Sequence, residues 1–423
     1  MAKISLSQQV LARIKPTPAQ KTQDHNITAL FLKTLNSKLK DATAILGGSG
    51  AKDTWLAGNH DVDVFVLFDY TKYSASSIDL SNLLETALQK AFPALTLSRV
   101  HGSRDYFQLM YNSLNMEVVP ILKIANAEQA KNITDVSPLH SIWVNKHTTK
   151  LKDDIRLTKQ FLKANNLYGA ESHIMGLSGY VVEILIAHYG SFEKLLKASQ
   201  LWKLKEVVDA GKHYPKKDAL FHLNQSKTQS PLIVIDPVDK SRNAAAALSL
   251  EKLQLFQKVA KAYLTHPDIS FFEKKKIDFN ILKKEVESKK KNLLFMSIIP
   301  LPGKEDVVGT KLVKVFEFLR GKLADFSIIR SGWEWEHGKE ALFYFIFAKK
   351  ELPPVEIRSG PPLNLKEHVD HFKKEHKDTF VKEGKIYANV KVLYPKLDDF
   401  VQVSMKDKYV LEKIKKVNEI KIV

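Results

Sequence analysis

Leu46-Gly47-Gly48-Ser49-Gly50-Ala51-Lys52-Asp53-Thr54-Trp55-Leu56-Ala57-Gly58-Asn59-His60-Asp61-Val62-Asp63-Val64-Phe65-Val66-Leu67-Phe68 places a Gly-Ser loop shortly before two aspartates in an apolar, β-branched and aromatic run. Successive strand side chains point to opposite faces, so Asp61 and Asp63 project from one face and Val62 and Val64 from the other. Two carboxylates side by side repel each other unless a cation sits between them. Hard oxygen ligands suit Mg²⁺, which takes one or two carboxylates and leaves its other positions to water and phosphate. The loop offers phosphates its backbone N–H groups and the Ser49 hydroxyl. Together these features describe the chemistry of nucleotidyl transfer.

The loop is not a Walker A loop, because Ala51-Lys52-Asp53 stands where Gly-Lys-Ser/Thr is required. Alone, Gly-Gly-Ser-Gly is usually a turn, and Asp-x-Asp is usually a solvated edge. The apolar run Val62 to Leu67 argues against an exposed loop here. A third carboxylate, Glu117 in Met116-Glu117-Val118-Val119-Pro120, is the candidate that completes a two-metal site. In isolation Glu117 would read as one buried, paired glutamate.

The chain has 423 residues, enough for two to four domains, and no cysteine. A disulfide framework, a thiolate zinc site and a thiol nucleophile are thereby excluded. Lys and Arg outnumber Asp and Glu by 65 to 47, a net charge of +18. That surplus favours a polyanionic partner, nucleic acid first, although solvated lysines account for part of it. The first residues lack a signal-peptide core and no apolar run spans a bilayer, so a soluble, cytoplasmic protein without membrane contact is expected.

Along the chain, Ile27, Leu30, Phe31, Leu35 and Leu39 predict a helix over Ile27 to Lys40 capped by Asn26. A strand Thr43 to Leu46, a surface loop Thr71 to Ser77 and a helix Asp79 to Phe92 follow. Asp105 to Tyr111 and Leu114 to Val119 read as a hairpin joined by Asn112-Ser113. From Leu151 the period turns helical. Lys152, Arg156, Lys159 and Lys163 form a basic stripe, Gly169 ends that helix, and Leu177 to His188 reads as a largely apolar buried one. Leu232 to Ile235 is a short apolar run, and Asn243 to Phe256 a helix. Strands return at Leu293 to Ile299, Ala341 to Ala348 and Lys385 to Tyr394, with a four-proline loop from Pro353 to Pro362. The expected class is multidomain α+β.

Gly48-Ser49, Ala51-Lys52, Thr54-Trp55-Leu56, Gly58, Asp61-Val62-Asp63 and Glu117-Val118-Val119-Pro120 resemble the polymerase-β nucleotidyltransferase superfamily. Further motifs narrow the resemblance to archaeal, class I CCA-adding enzymes. They are Thr134 to His140, Phe161 to Glu171, Gly176-Leu177-Ser178-Gly179-Tyr180, and Asp236-Pro237-Val238-Asp239-Lys240-Ser241-Arg242-Asn243. The resemblance implies a polymerase-β-like catalytic head over residues 1–148, a helical neck over 149–270 and an α+β body and tail over 271–423. It implies CTP and ATP as substrates, two Mg²⁺ ions on Asp61, Asp63 and Glu117, and tRNA as partner, gripped by its acceptor arm. Gly48, Ser49 and Lys52 would hold the triphosphate, with His140, Lys159 and Tyr168 continuing that contact, and Arg242 would read the base edge. The chain departs from the family's usual Glu-x-Asp and Asp by carrying Asp61-x-Asp63 and Glu117, and has Lys52 where arginine is common.

Two other functions stay open on the sequence. One is a poly(A) polymerase or oligoadenylate synthetase of the same superfamily; the other is a catalytically silent RNA-binding relative. The family is often dimeric, which leaves a homodimer open.

Overall fold

A computed structural model describes residues 5–58, 61–75, 78–215 and 218–423 of the chain. Asn59 and His60 of the decisive stretch, and Ser76 and Ser77 of the expected loop, lie outside the described residues. The chain divides into two compact units after Lys275.

The first unit opens with α1 (Leu6–Ile14) and α2 (Pro18–Asn36). The second helix starts well before the expected Asn26, because Thr17 and Gln20 form a capping box and Pro18 occupies the first turn. Strand β1 (Ala42–Leu46), the one-turn helix α3 (Gly48–Ala51) and β2 (Asp61–Phe68) follow. The expected loop after β2 begins as a helical turn, α4 (Tyr70–Tyr73), capped by Asp69. Then come α5 (Leu80–Ala91), capped by Asp79, and strands β3 (Ser98–Val100), β4 (Tyr106–Tyr111) and β5 (Leu114–Leu122). Asn112 and Ser113 turn the hairpin with φ of 47° and 69°, the primed-turn geometry that matches strand twist.

The strands form one sheet in the order β1-β2-β5-β4-β3, antiparallel except for β2 beside β5. Val62, Val64, Met116 and Val118 face a core built with Phe31 and Leu35 of α2 and Leu84 and Leu88 of α5. The alternation therefore turns Asp61, Asp63 and Glu117 to the other face.

The same unit continues through α6 (Ser137–His147), α7 (Lys152–Ala164), α8 (Gly179–Tyr189), α9 (Phe192–Ser199), β6 (Glu206–Val208), α10 (Ala219–His222), β7 (Leu232–Val234) and α11 (Leu250–Thr265). Phe161, Phe192, Tyr263 and Phe272 pack edge to face at its centre. Here α7 ends at Ala164 with Asn165 as its cap, before Gly169. The expected helix from Asn243 starts only at Leu250. The Asn243 side chain is occupied instead, accepting from the amides of Val234 and Ala245 at 2.9 Å each.

The second unit holds α12 (Phe279–Ser288), β8 (Asn292–Pro300), α13 (Glu305–Lys322), β9 (Ile328–Glu334), β10 (Ala341–Phe347), β11 (Val355–Pro362), α14 (Lys366–Glu375), β12 (Thr379–Lys382), β13 (Lys385–Lys391), α15 (Leu397–Ser404), α16 (Lys408–Leu411) and β14 (Ile414–Ile422). One antiparallel sheet runs β14-β8-β10-β9 and packs Met296, Phe343 and Phe345 against Leu312 and Phe316 of α13. The stretch from Pro353 to Pro362 is mostly a strand rather than a loop. It lies at the edge of the sheet β11-β13-β12, where proline costs little because an edge leaves N–H positions unpaired. No described helix is long and apolar enough to cross a membrane.

Candidate active site

The parallel register sets Asp63 opposite Glu117 and Asp61 opposite Asn115. The β1-to-β2 connection carries α3 over these carboxylates. Gly47 donates its amide to the Asp63 carbonyl at 2.7 Å. A Cβ on Gly48 would lie 1.6 Å from Asp63 Oδ2, and its φ is +51°, so only glycine fits there. The loop backbone is thus laid directly against the carboxylate, beside which a phosphate would have to sit.

Burial raises the Asp63 carboxyl above its ordinary value; Lys52 opposes this and Asp61 adds to it. Burial also raises Glu117, which Gln108 counters while Asp61 and Asp63 push it further up. Each outer carboxylate is held by a neutral donor: Gln108 Nε2 donates to Glu117 Oε1 at 2.6 Å, and Asn115 Nδ2 to Asp61 Oδ1 at 2.7 Å. As they stand, no three His, Asp or Glu side chains among the described residues form a group that could hold a metal ion. The donor set itself fits a hard divalent cation, since all three groups offer carboxylate oxygen and Asp61 opposes the ionisation of both others.

The middle of the basic stripe of α7, Arg156 and Lys159, is buried rather than solvated, while Lys152 is half-buried and Lys163 exposed. Arg156 is 1% exposed and donates to the carbonyls of Trp55 at 3.1 Å and Asp53 at 2.6 Å, and to the carboxylates of Asp53 and Asp153. It clamps the exit of the Gly-Ser loop. Lys159 Nζ donates to Thr54 Oγ1 at 3.0 Å and to Glu183 Oε1 at 3.1 Å, while Lys52 Nζ donates to Glu183 Oε2 at 2.6 Å. Glu183 is fully buried. That burial opposes its ionisation, but Lys159 and Lys52 outweigh it and hold the carboxyl below its ordinary range, at about 2. The Tyr168 hydroxyl and the Lys159 stem both close on the start of α8, where a Cβ on Gly179 would meet them at 2.7 and 3.6 Å. Lys163 Nζ lies 5.2 Å from the Tyr168 ring centroid.

His140 and Arg242 meet at a second buried carboxylate. Asp236 accepts from Arg242 Nη1 at 2.6 Å and from the Tyr180 hydroxyl at 2.9 Å, and His140 Nε2 lies 3.1 Å from it. His140 stacks on Tyr180 with centroids 3.9 Å apart. Burial works against the Asp236 carboxylate, yet His140, the Val238 amide and Arg242 hold it well below the usual range. Just before α6, the helix that carries His140, Asp135 is buried and bonded by Arg104 at 2.6 Å and by the amides of Leu122, Lys131 and Asn132.

The predicted residues therefore fall into three neighbouring groups. Asp61, Asp63 and Glu117 lie under Gly48 and Ser49; Lys52 and Lys159 share Glu183, with Tyr168 alongside; and His140 and Arg242 share Asp236. Lys52 links the last two, its ammonium 6.0 Å from the centroid of the Tyr180 ring. Sequence reading missed Glu183, Asp236, Tyr180 and Arg156 as site residues. The available signal was Glu183 itself, the lone charge in the apolar run from Leu177 to Ala187.

Comparison with known proteins covers each of these parts. Residues 29–141 match the nucleotidyltransferase domain, 153–273 the second domain of tRNA nucleotidyltransferase, and 304–420 the C-terminal domain of the CCA-adding enzyme. A CCA-adding enzyme of Nanoarchaeum equitans is 35% identical over 84% of this chain and 87% of its own length. One from Methanosarcina acetivorans is 32% identical over 86% and 80%, and one from Sulfolobus acidocaldarius 30% over 97% and 94%. A solved structure of a mutant Cid1 poly(U) polymerase bound to MgATP shares the fold over 64% of this chain and 98% of its own, at 15% identity and a TM-score of 0.50. Identity of this order, sustained from the carboxylate sheet through to the C-terminal strands, makes the chain an enzyme of nucleotidyltransferase type and a member of the archaeal CCA-adding enzyme family.

Proposed function

We propose that the protein adds cytidine, cytidine and adenosine to the 3′ end of immature tRNA from CTP and ATP, releasing pyrophosphate and using no nucleic-acid template. The observation that carries this is the opposition of Asp63 and Glu117 beneath the Gly48-Ser49 loop, within a chain of this family. Asp61, Asp63 and Glu117 would hold two Mg²⁺ ions, which when bound neutralise charge at the attacking and leaving oxygens. The Gly48-Ser49 backbone and the Ser49 hydroxyl, with Lys52 and Lys159, hold the triphosphate, and His140 and Tyr168 extend that contact. Asp236 takes one N–H of Arg242 and fixes the guanidinium, whose further donors suit the acceptor edge of a base. Positioning and charge stabilisation are the chain's contribution, as in phosphoryl transfer generally.

Functionally, residues 1–148 serve as the catalytic head, 149–270 as a nucleotide-binding neck, and 271–423 as a body and tail for tRNA. The net charge of +18 supports a phosphate grip on the tRNA acceptor arm. The test is tRNA ending before its CCA, incubated with CTP and ATP separately and together. Two cytidines with CTP alone, and a final adenosine only when ATP is added, are expected. Extension of any RNA primer with ATP alone would instead make it a poly(A) polymerase. Binding of tRNA without pyrophosphate release would make it a silent relative.

A further inference from the structure

Helix α8 turns Tyr180 and Glu183, three residues apart, to one face. Glu183 has no exposed surface, and the buried residues around it on α8 are aliphatic: Val181, Val182, Ile184, Leu185 and Ile186. Its carboxylate divides between three donors from two other segments. Oε2 accepts from Lys52, while Oε1 accepts from Lys159 and from the Thr54 hydroxyl at 2.8 Å. Lys52 is 8% exposed and Lys159 4%. Two ammoniums share one carboxylate as hydrogen-bond partner in a desolvated position, and Asp63 is a further anion that both act on. The Lys52 ammonium carries further N–H donors, which suit the oxygens of a polyphosphate.

We propose that Glu183 is the positioning residue of the triphosphate seat, pinning Lys52 of the loop and Lys159 of α7 together before the nucleotide arrives. This rests on the reading of Lys52 and Lys159 as phosphate ligands. Without the carboxylate the two buried cations repel each other, and one of them must turn to water or give up its proton. Either outcome removes a phosphate contact. Lys52 meets the Arg242 group only through the Tyr180 ring, 6.0 Å away, so the effect falls first on the phosphates.

The experiment measures CTP and CMP binding to the whole chain by equilibrium dialysis, together with KM for CTP and for primer tRNA. In Glu183→Gln, CTP binding and KM are expected to weaken roughly tenfold or more, since one member of a buried charged set is removed. CMP binding and the KM for tRNA stay as in the parent, and Glu183→Asp recovers part of the loss. Equal weakening of CTP and CMP, or no weakening of either, overturns the proposal. Lys159→Met separates it from the reading beneath it. If Lys159→Met leaves CTP binding unchanged, the phosphate reading itself fails; if it weakens CTP while Glu183→Gln does not, only the positioning role fails. Should Glu183→Gln not fold, Thr54→Val removes the hydroxyl that bridges Glu183 and Lys159. A CTP-specific loss of about threefold is expected there from one hydrogen bond, and no loss overturns the proposal.

Discussion

Asp63 and Glu117 stand opposite each other on the parallel strands β2 and β5, the one pair of strands in this sheet that does not run antiparallel. Their carboxyl groups are both raised above ordinary values, with burial the leading cause in each. A raised carboxyl contributes stability at pH below its unfolded value and loses it as pH rises through the folded value. Ionising either group therefore strains the fold. Asp63→Asn is expected to abolish incorporation of labelled CTP while raising Tm by on the order of 2 °C in metal-free buffer. Added Mg²⁺ should raise the Tm of the parent and not of the variant. Retained incorporation would remove Asp63 from the site.

Arg156 tests how far the loop depends on α7. Its guanidinium is buried and reaches two loop carbonyls and two carboxylates. Arg156→Met leaves those carbonyls without their donor. The carboxylates of Asp53 and Asp153 are 50% and 39% exposed, so solvent screens part of the loss. The expected destabilisation is about 2–3 kcal/mol, read from denaturant melts. Arg156→Lys keeps the charge but not the fork, and should lie between the two. A variant as stable as the parent would show that the clamp is idle.

The sheet and its carboxylate face could be read from the sequence because period-two alternation and an Asn-Ser turn are local signals. Thr17 and Pro18 were equally local, and a reading anchored on Asn26 passed over them. The basic stripe of α7 was visible as a spacing, but its meaning was not. Lys152 donates to Asn145 at 2.8 Å, Arg156 closes on the loop, and Lys159 meets a carboxylate from α8. The partners of Arg156 and Lys159 are far away in sequence, so periodicity cannot distinguish a solvated face from a buried clamp. Asp236 was quoted within a motif, yet its value as the shared acceptor for His140, Tyr180 and Arg242 exists only in three dimensions. The four-proline stretch misled because proline marks both loops and edge strands.

Acid unfolding gives a pH test of the Glu183 cluster. Burial opposes the charged form, but Lys159 and Lys52 hold its carboxyl at about 2 against an ordinary 4.5. A lowered carboxyl contributes stability above its unfolded value, and that contribution is lost as pH falls through the folded one. Between pH 4.5 and 2 the parent should therefore lose stability more steeply than Glu183→Gln, which has no proton to take up there. Urea midpoints measured at half-unit pH steps across that window give the two slopes. Parallel slopes would mean that Glu183 titrates normally.

Base choice should depend on Asp236 as well as on Arg242. Arg242 is 31% exposed at its side chain, while the carboxylate that holds it has no exposed surface. In Asp236→Asn the charged anchor becomes a neutral one, which also weakens the ties to Tyr180 and His140. The guanidinium then samples more orientations, and a fork aimed at a base edge loses the selectivity that comes from fixed geometry. The kcat/KM ratio for CTP over UTP on tRNA lacking its terminal CCA is expected to fall roughly tenfold, the discrimination of about one bidentate base contact. Overall incorporation of CTP should fall less than that ratio. A ratio that stays at the parent's value while Arg242→Ala collapses it would mean that Arg242 reads the base without Asp236 to aim it.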